Sequence, residues 1–166
     1  MVDFKFSINI QNVIKDRKNY DITKLDFKGL KYIAFGNIII TFENTDQKMD
    51  ISSGLIDYLY LLESVIASFS TFNKSFTFTV SSYDFYSANF EYEYNKNKDV
   101  LKIKGITDCL VNISCSYSEF KSSFFKFKSS LVKELVFLYP ELVDNETFSN
   151  LWLKQKRINF PNYRIG

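Results

Sequence analysis

Histidine is absent from this chain of 166 residues, which removes the usual proton carrier near neutral pH and the commonest metal ligand. Ser-His-Asp and Cys-His nucleophilic machinery is excluded with it. Only two cysteines are present, so one chain cannot assemble a zinc site from four Cys and His ligands. Cys109 and Cys115 fall in one expected strand, where the rise per residue separates them by roughly 20 Å. A disulfide needs Cα atoms within about 7 Å, so reduced thiols and a cytoplasmic setting are the expectation. The five glycines form neither a GxxxxGK[ST] loop nor a GxGxxG turn, leaving nucleotide binding without a phosphate cradle. No stretch approaches the twenty or so apolar residues of a membrane helix, and the apolar segment 51–72 is interrupted by Asp57 and Glu63. The start, Met1-Val2-Asp3-Phe4-Lys5-Phe6, alternates and does not run into a secretory apolar core. Lys and Arg number 21 against 19 acids, and a net charge of +2 is too small for a general hold on nucleic acid.

Apolar residues make up 46% and aromatics 18% of the chain, enough for one buried core in a chain of this length. A single α+β domain over residues 1–166 is expected, with residues 154–166 a basic C-terminal tail. Phe4, Phe6, Ile8 and Ile10 alternate as in a strand with one buried face. Residues 16–20 read as a turn before a short strand over 21–27, and Tyr32 to Phe42 as a strand covered on both faces. From about Ile51 the spacing of Leu55, Leu59, Leu62, Ile66 and Phe69 is helical, with Asp50, Ser52 and Ser53 as candidate caps. Alternation returns in Phe76, Phe78 and Val80 and again in Phe90, Tyr92 and Tyr94, followed by strands over 100–104 and 110–117. A second long helix follows, capped by Ser118 and built on Phe120, Phe124, Phe127, Leu131, Leu135 and Leu138, with Phe125, Val132 and Val136 widening its apolar face. Pro140 stops it, and Asp144 or Asn145 caps a shorter third helix. These elements predict an antiparallel or mixed sheet of about six strands with two long helices and a shorter C-terminal helix packed on one face.

Candidate chemistry is sparse. Cys109 and Cys115 are read chiefly as small buried hydrophobes and, alternatively, as a reactive thiol. Glu91 and Glu93 share one sheet face through their i,i+2 spacing and, with Asp84, form the nearest approach to an acidic cluster. Such carboxylates serve a solvated outer strand face, an anionic docking patch, a hard-cation site or an acid-base pair. Lys154, Lys156, Arg157 and Arg164, interleaved with Phe160 and Tyr163, could touch nucleic acid or simply complement the preceding helix dipole. No catalytic residue, metal ligand or cofactor is assigned. Asp84, Tyr86, Glu91 and Glu93 are the residues expected to bind a partner.

The order of strands, long helix, four-stranded meander and second helix is bounded by two local signatures. That helix is entered through Ser118-Glu119-Phe120 and closed by Leu138-Tyr139-Pro140-Glu141-Leu142. Over residues 51–142 this layout resembles small immunity-type proteins of bacterial polymorphic toxin and contact-dependent inhibition systems. The resemblance implies a cytoplasmic non-enzyme that binds one cognate toxin domain and blocks its active site or assembly. A net charge of +2 departs from the acidic balance common in members directed against nucleases. The expected function is stoichiometric protein binding. The alternatives are a phage- or secretion-related assembly subunit that self-associates, and a histidine-free enzyme using carboxylates or a thiol.

Overall fold

Alternation at the N-terminus becomes β1 (Val2–Ile8), with Val2 buried, Phe4, Phe6 and Ile8 half-buried and Asp3, Lys5 and Ser7 exposed. The computed structural model describes residues 1–70, 77–83, 89–106 and 111–154, with backbone alone for 77–83 and Asn89. Ile10 does not prolong the strand. Asn9 accepts hydrogen bonds from the Gln11 and Asn12 N–H groups and so caps α1 (Ile10–Asn19), replacing the expected turn at 16–20. The expected strand over 21–27 is likewise absent: Ile22–Lys24 forms one 3-10 turn and α2 (Phe27–Leu30) follows. Only Val13 and Asp16 of α1 are buried, so the helix offers a narrow apolar signal that strand-like alternation leading into Ile10 obscures.

β2 (Phe35–Phe42) is the centre of a three-stranded antiparallel sheet between β1 and β3 (Lys48–Gly54). Phe4 lies opposite Ile40, and Ile38 opposite Ile51. β2 is not covered on both faces as its sequence suggests. Ile38, Ile40 and Phe42 are buried, while Asn37 and Thr41 are exposed and Ile39 is half-buried. A Cβ on Gly36 would stand 2.1 Å from the Ser7 carbonyl oxygen, so close approach of the two strands requires glycine there. Asp50, Ser52 and Ser53 are strand residues rather than helix caps. Met49, Ile51 and Ser53 turn inward in β3, and α3 (Leu55–Ser70) begins directly after it.

The predicted single sheet of about six strands is two sheets. β4 (Thr77–Tyr83), β5 (Asn89–Asn95), β6 (Val100–Gly105) and β7 (Asn112–Ser116) form a separate antiparallel meander in sequence order. The sixteen residues of α3 carry the chain about 24 Å at the helical rise, which takes β4 away from the edge of the first sheet. α4 (Tyr117–Leu138) then returns across the molecule. α3 packs on β2, β3 and β4, and α4 on β1 and β7, so each long helix bridges both sheets. One hydrophobic cluster accordingly extends from Val2 to Trp152.

Aromatic contacts hold these layers together. Phe4 meets Phe120 and Phe127 with ring centroids 5.4 and 5.2 Å apart, and Tyr94 meets Tyr117 at 4.1 Å. Burying each such side chain contributes about 1.5–3 kcal/mol. Ser116, rather than Ser118, caps α4 by accepting from the Glu119 N–H at 3.2 Å. Asp99, at φ 50°, supports that corner by accepting from the hydroxyls of Ser116 and Ser118. No helix among the described residues is long and apolar enough to cross a membrane.

Candidate functional site

Successive residues of an α-helix are rotated by about 100°, so Phe125, Val132 and Val136 lie on a different side of α4 from their neighbours Phe124, Leu131 and Leu135. Phe124, Leu131 and Leu135 are fully buried. The second row widens the core face only in part: Val132 and Val136 are half-buried and pack against the core, whereas Phe125 is 48% exposed. With Trp152 and Leu153 they line a groove of about 440 Å³ that Lys128 and Lys133 border and that no acid lines among the described residues.

The far wall of the groove comes from the segment after Pro140. A 3-10 turn (Pro140–Val143), α5 (Glu146–Phe148) and a π-helical turn (Ser149–Leu153) fold back along α4. Asn145 fastens this segment. It accepts from the Phe148 N–H and donates through Nδ2 to the carbonyls of Ile22 and Leu25, at 2.8 and 2.9 Å, with its side chain wholly buried. Trp152 Nε1 donates to Glu63 Oε2 at 2.6 Å, and Lys128 binds Glu63 Oε1. Both carboxylate oxygens of Glu63 are therefore occupied, one by each wall. Beneath the same segment, the Tyr139 hydroxyl donates to buried Asp16 at 2.7 Å, and the Ala34 N–H donates to the same oxygen at 3.0 Å. Burial first, then the hydrogen bond to Asp16, pushes the Tyr139 hydroxyl well above the ordinary tyrosine range, so it remains a donor. These contacts set a rigid frame whose exposed product is the apolar groove.

Glu63 balances Lys128 beside the groove, and the remaining charges described there are positive. Lys121, Lys133 and Lys154 make no ion pair with an acid among the described residues, and Lys154 Nζ donates only to Asn150 at 3.0 Å. An apolar strip with cations beside it has the chemistry of surfaces that contact other chains.

The sequence-predicted residues fall elsewhere. Asp84 and Tyr86 lie outside the described residues, as do Cys109 and residues 155–166 of the basic tail. Glu91 and Glu93 project from the outer face of the meander, opposite the buried face of Phe90, Tyr92 and Tyr94. Lys104 stands opposite Glu91 and Lys102 opposite Glu93, with Lys102 Nζ 3.4 Å from Glu93 Oε1. Each acid thus has a cation beside it, and the face carries mixed charge. Cys115 is half-buried in β7, where burial, followed by the charges of Glu119 and Asp99, pushes its thiol up to about 12. It stays protonated and packs against the core.

A second cavity, of about 380 Å³, lies between α2 and the start of α3. Lys31 Nζ sits there 3.0 Å from Asp57 Oδ1 and 4.9 Å from the centre of the Phe27 ring. The chain's own ammonium occupies the acid and the aromatic face. Among the described residues, no three Cys, Asp or Glu side chains converge to hold a metal ion. No protein-family model, no curated protein and no solved structure matches the chain.

Proposed function

We propose that this chain is a non-catalytic protein-binding module that works by stoichiometric occupation of a partner, with the α4 groove as its docking surface. The observation that carries this reading is the second apolar row of α4, exposed at Phe125 and walled by Trp152, with Lys133 on the groove and Lys121 and Lys154 next to its ends in the chain, none of the three in an ion pair among the described residues. Aromatic anchors in an apolar centre supply affinity, and surrounding charges supply orientation and selectivity.

Within that class, the resemblance over residues 51–142 favours an immunity protein that meets one cognate toxin domain in the cytoplasm and neutralises it. The test is protection. Where the adjacent reading frame encodes a toxic domain, cells producing that domain are expected to survive when the chain is co-produced and to die when it carries Phe125→Asp, although the variant melts at the parent temperature. Survival with the variant would remove the groove from the reading, and lack of protection by the parent chain would remove the immunity role. Light scattering separates this function from self-assembly, since a binder is monomeric when alone and a structural subunit is a large oligomer at every concentration.

A further inference from the structure

The groove has dimensions as well as polarity. From Phe125 to Val136 is eleven steps along the helix, roughly 17 Å or three turns. Its contact positions, 125, 129, 132 and 136, are spaced by four, three and four, the spacing by which one helix receives another. An extended strand would leave its backbone N–H and C=O groups facing a helix side that has no free backbone partners. A helix satisfies those groups internally and presents only side chains.

Charge then discriminates among helical occupants. Lys121, Lys133 and Lys154 flank the strip without acidic partners among the described residues, and Glu63 is already engaged on both oxygens. Residues 155–166 contain Lys156, Arg157 and Arg164 but no acid, so their charges would face these lysines unfavourably. A second copy would bring the same lysines against themselves around a two-fold axis. An acidic segment meets no such repulsion.

We infer that the α4 groove receives an acidic amphipathic helix of about three turns from a partner protein, its apolar residues against Phe125, Val132 and Val136 and its carboxylates against Lys121 and Lys133. This inference rests on the binding role proposed above and specifies the partner's chemistry.

The experiment uses the full chain and three synthetic helical peptides of about fourteen residues with the same leucine row, flanked by glutamates, glutamines or lysines. Calorimetry measures affinity, and amide chemical shifts locate the site. The glutamate peptide is expected to bind at least about tenfold more tightly than the lysine peptide, the combined effect of a few exposed charge pairs. It should shift the amides of residues 125–136 and weaken as salt is raised. Lys133→Glu should narrow or invert the preference without changing the melting temperature. Equal binding of all three peptides in the groove would overturn the acidic preference and leave the protein-binding role standing. Binding of none, either to the parent or to full-length Phe160→Ser, would overturn both. If the parent chain refuses every peptide while full-length Phe160→Ser accepts them, the occupant is the chain's own C-terminal segment. A dimer that Phe125→Ser dissociates identifies a second copy. Either result overturns the inference.

Discussion

α4 carries two apolar rows that differ by a single step along the sequence. Phe124, Leu131 and Leu135 have no exposed surface, whereas Phe125, Val132 and Val136 border an open groove. Both rows have helical spacing and comparable residue types, so periodicity alone does not distinguish a core from a docking surface. Neighbouring layers make the difference. β1 brings Phe4 onto the first row, while the second row faces Trp152 and Leu153 across the groove. The same side-chain chemistry is structural on one side of a helix and available for recognition about 100° away.

That contrast can be broken most severely at Phe124. Phe124→Asp places a carboxylate without a partner in the core and is expected to prevent stable folding, while Phe124→Ala should cost about 3–5 kcal/mol in urea denaturation. A cooperative melt of Phe124→Asp at the parent temperature would deny the first row its core role. Next in size is the frame behind the groove. Asn145→Ala leaves the Ile22 and Leu25 carbonyls without their donor, for an expected loss of about 2 kcal/mol or more by the same measurement.

Phe125→Ser sharpens the comparison, because a residue of the second row should lose less than about 1 kcal/mol of stability yet abolish groove binding. A loss near that of Phe124→Ala would show the two rows to be one core. Smaller still is the effect of Glu91→Lys with Glu93→Lys. Each new cation then faces Lys104 or Lys102, so stability should fall by about 1 kcal/mol or less. Partner affinity should be unchanged if α4 is the docking surface, whereas a marked loss of affinity would transfer that role to the meander.

Alkaline pH tests the packed side of the molecule at Cys115. In the unfolded chain a thiol ionises near pH 8.5, whereas burial holds the Cys115 thiol up to about 12 in the folded state. The folded chain therefore keeps its proton longer. The stability linked to this group is whole below pH of about 8.5 and is lost as pH climbs through about 12. Urea midpoints of the parent should fall more steeply than those of Cys115→Ala between pH 8.5 and 10. In a Cys109→Ser background, iodoacetamide at pH 8 should label Cys115 more than about a hundredfold more slowly than a free cysteine.

Several elements were legible in the residues themselves. The alternation of Phe90, Tyr92 and Tyr94 predicted β5, and the four-three spacing of Phe120 to Leu138 predicted α4. Asn145 was recognisable, with Asp144, as one of two candidate caps because either side chain suits an N-terminal turn, and the structure selects Asn145. Other elements were hidden by overlap. Ile10, Val13 and Ile14 carry helical spacing, but Ile10 also continues the alternation of β1. Met49 and Ile51 are the only two large apolar residues of β3, and Ile51 also fits the apolar run that opens α3. The groove had a signal too: a second row one residue out of phase with a first row already sufficient to fill a core.

Local preference and periodicity thus determined most of the helices and strands, because burying one face of an element depends on spacing that the chain carries in itself. Three-dimensional packing alone decided that the strands divide into two sheets, that Asp16 and Tyr139 meet across 123 positions, and which apolar row of α4 borders the groove. Those outcomes depend on contacts between segments remote in the chain, where the geometry of intervening elements, rather than the residues at the contact, selects the neighbour.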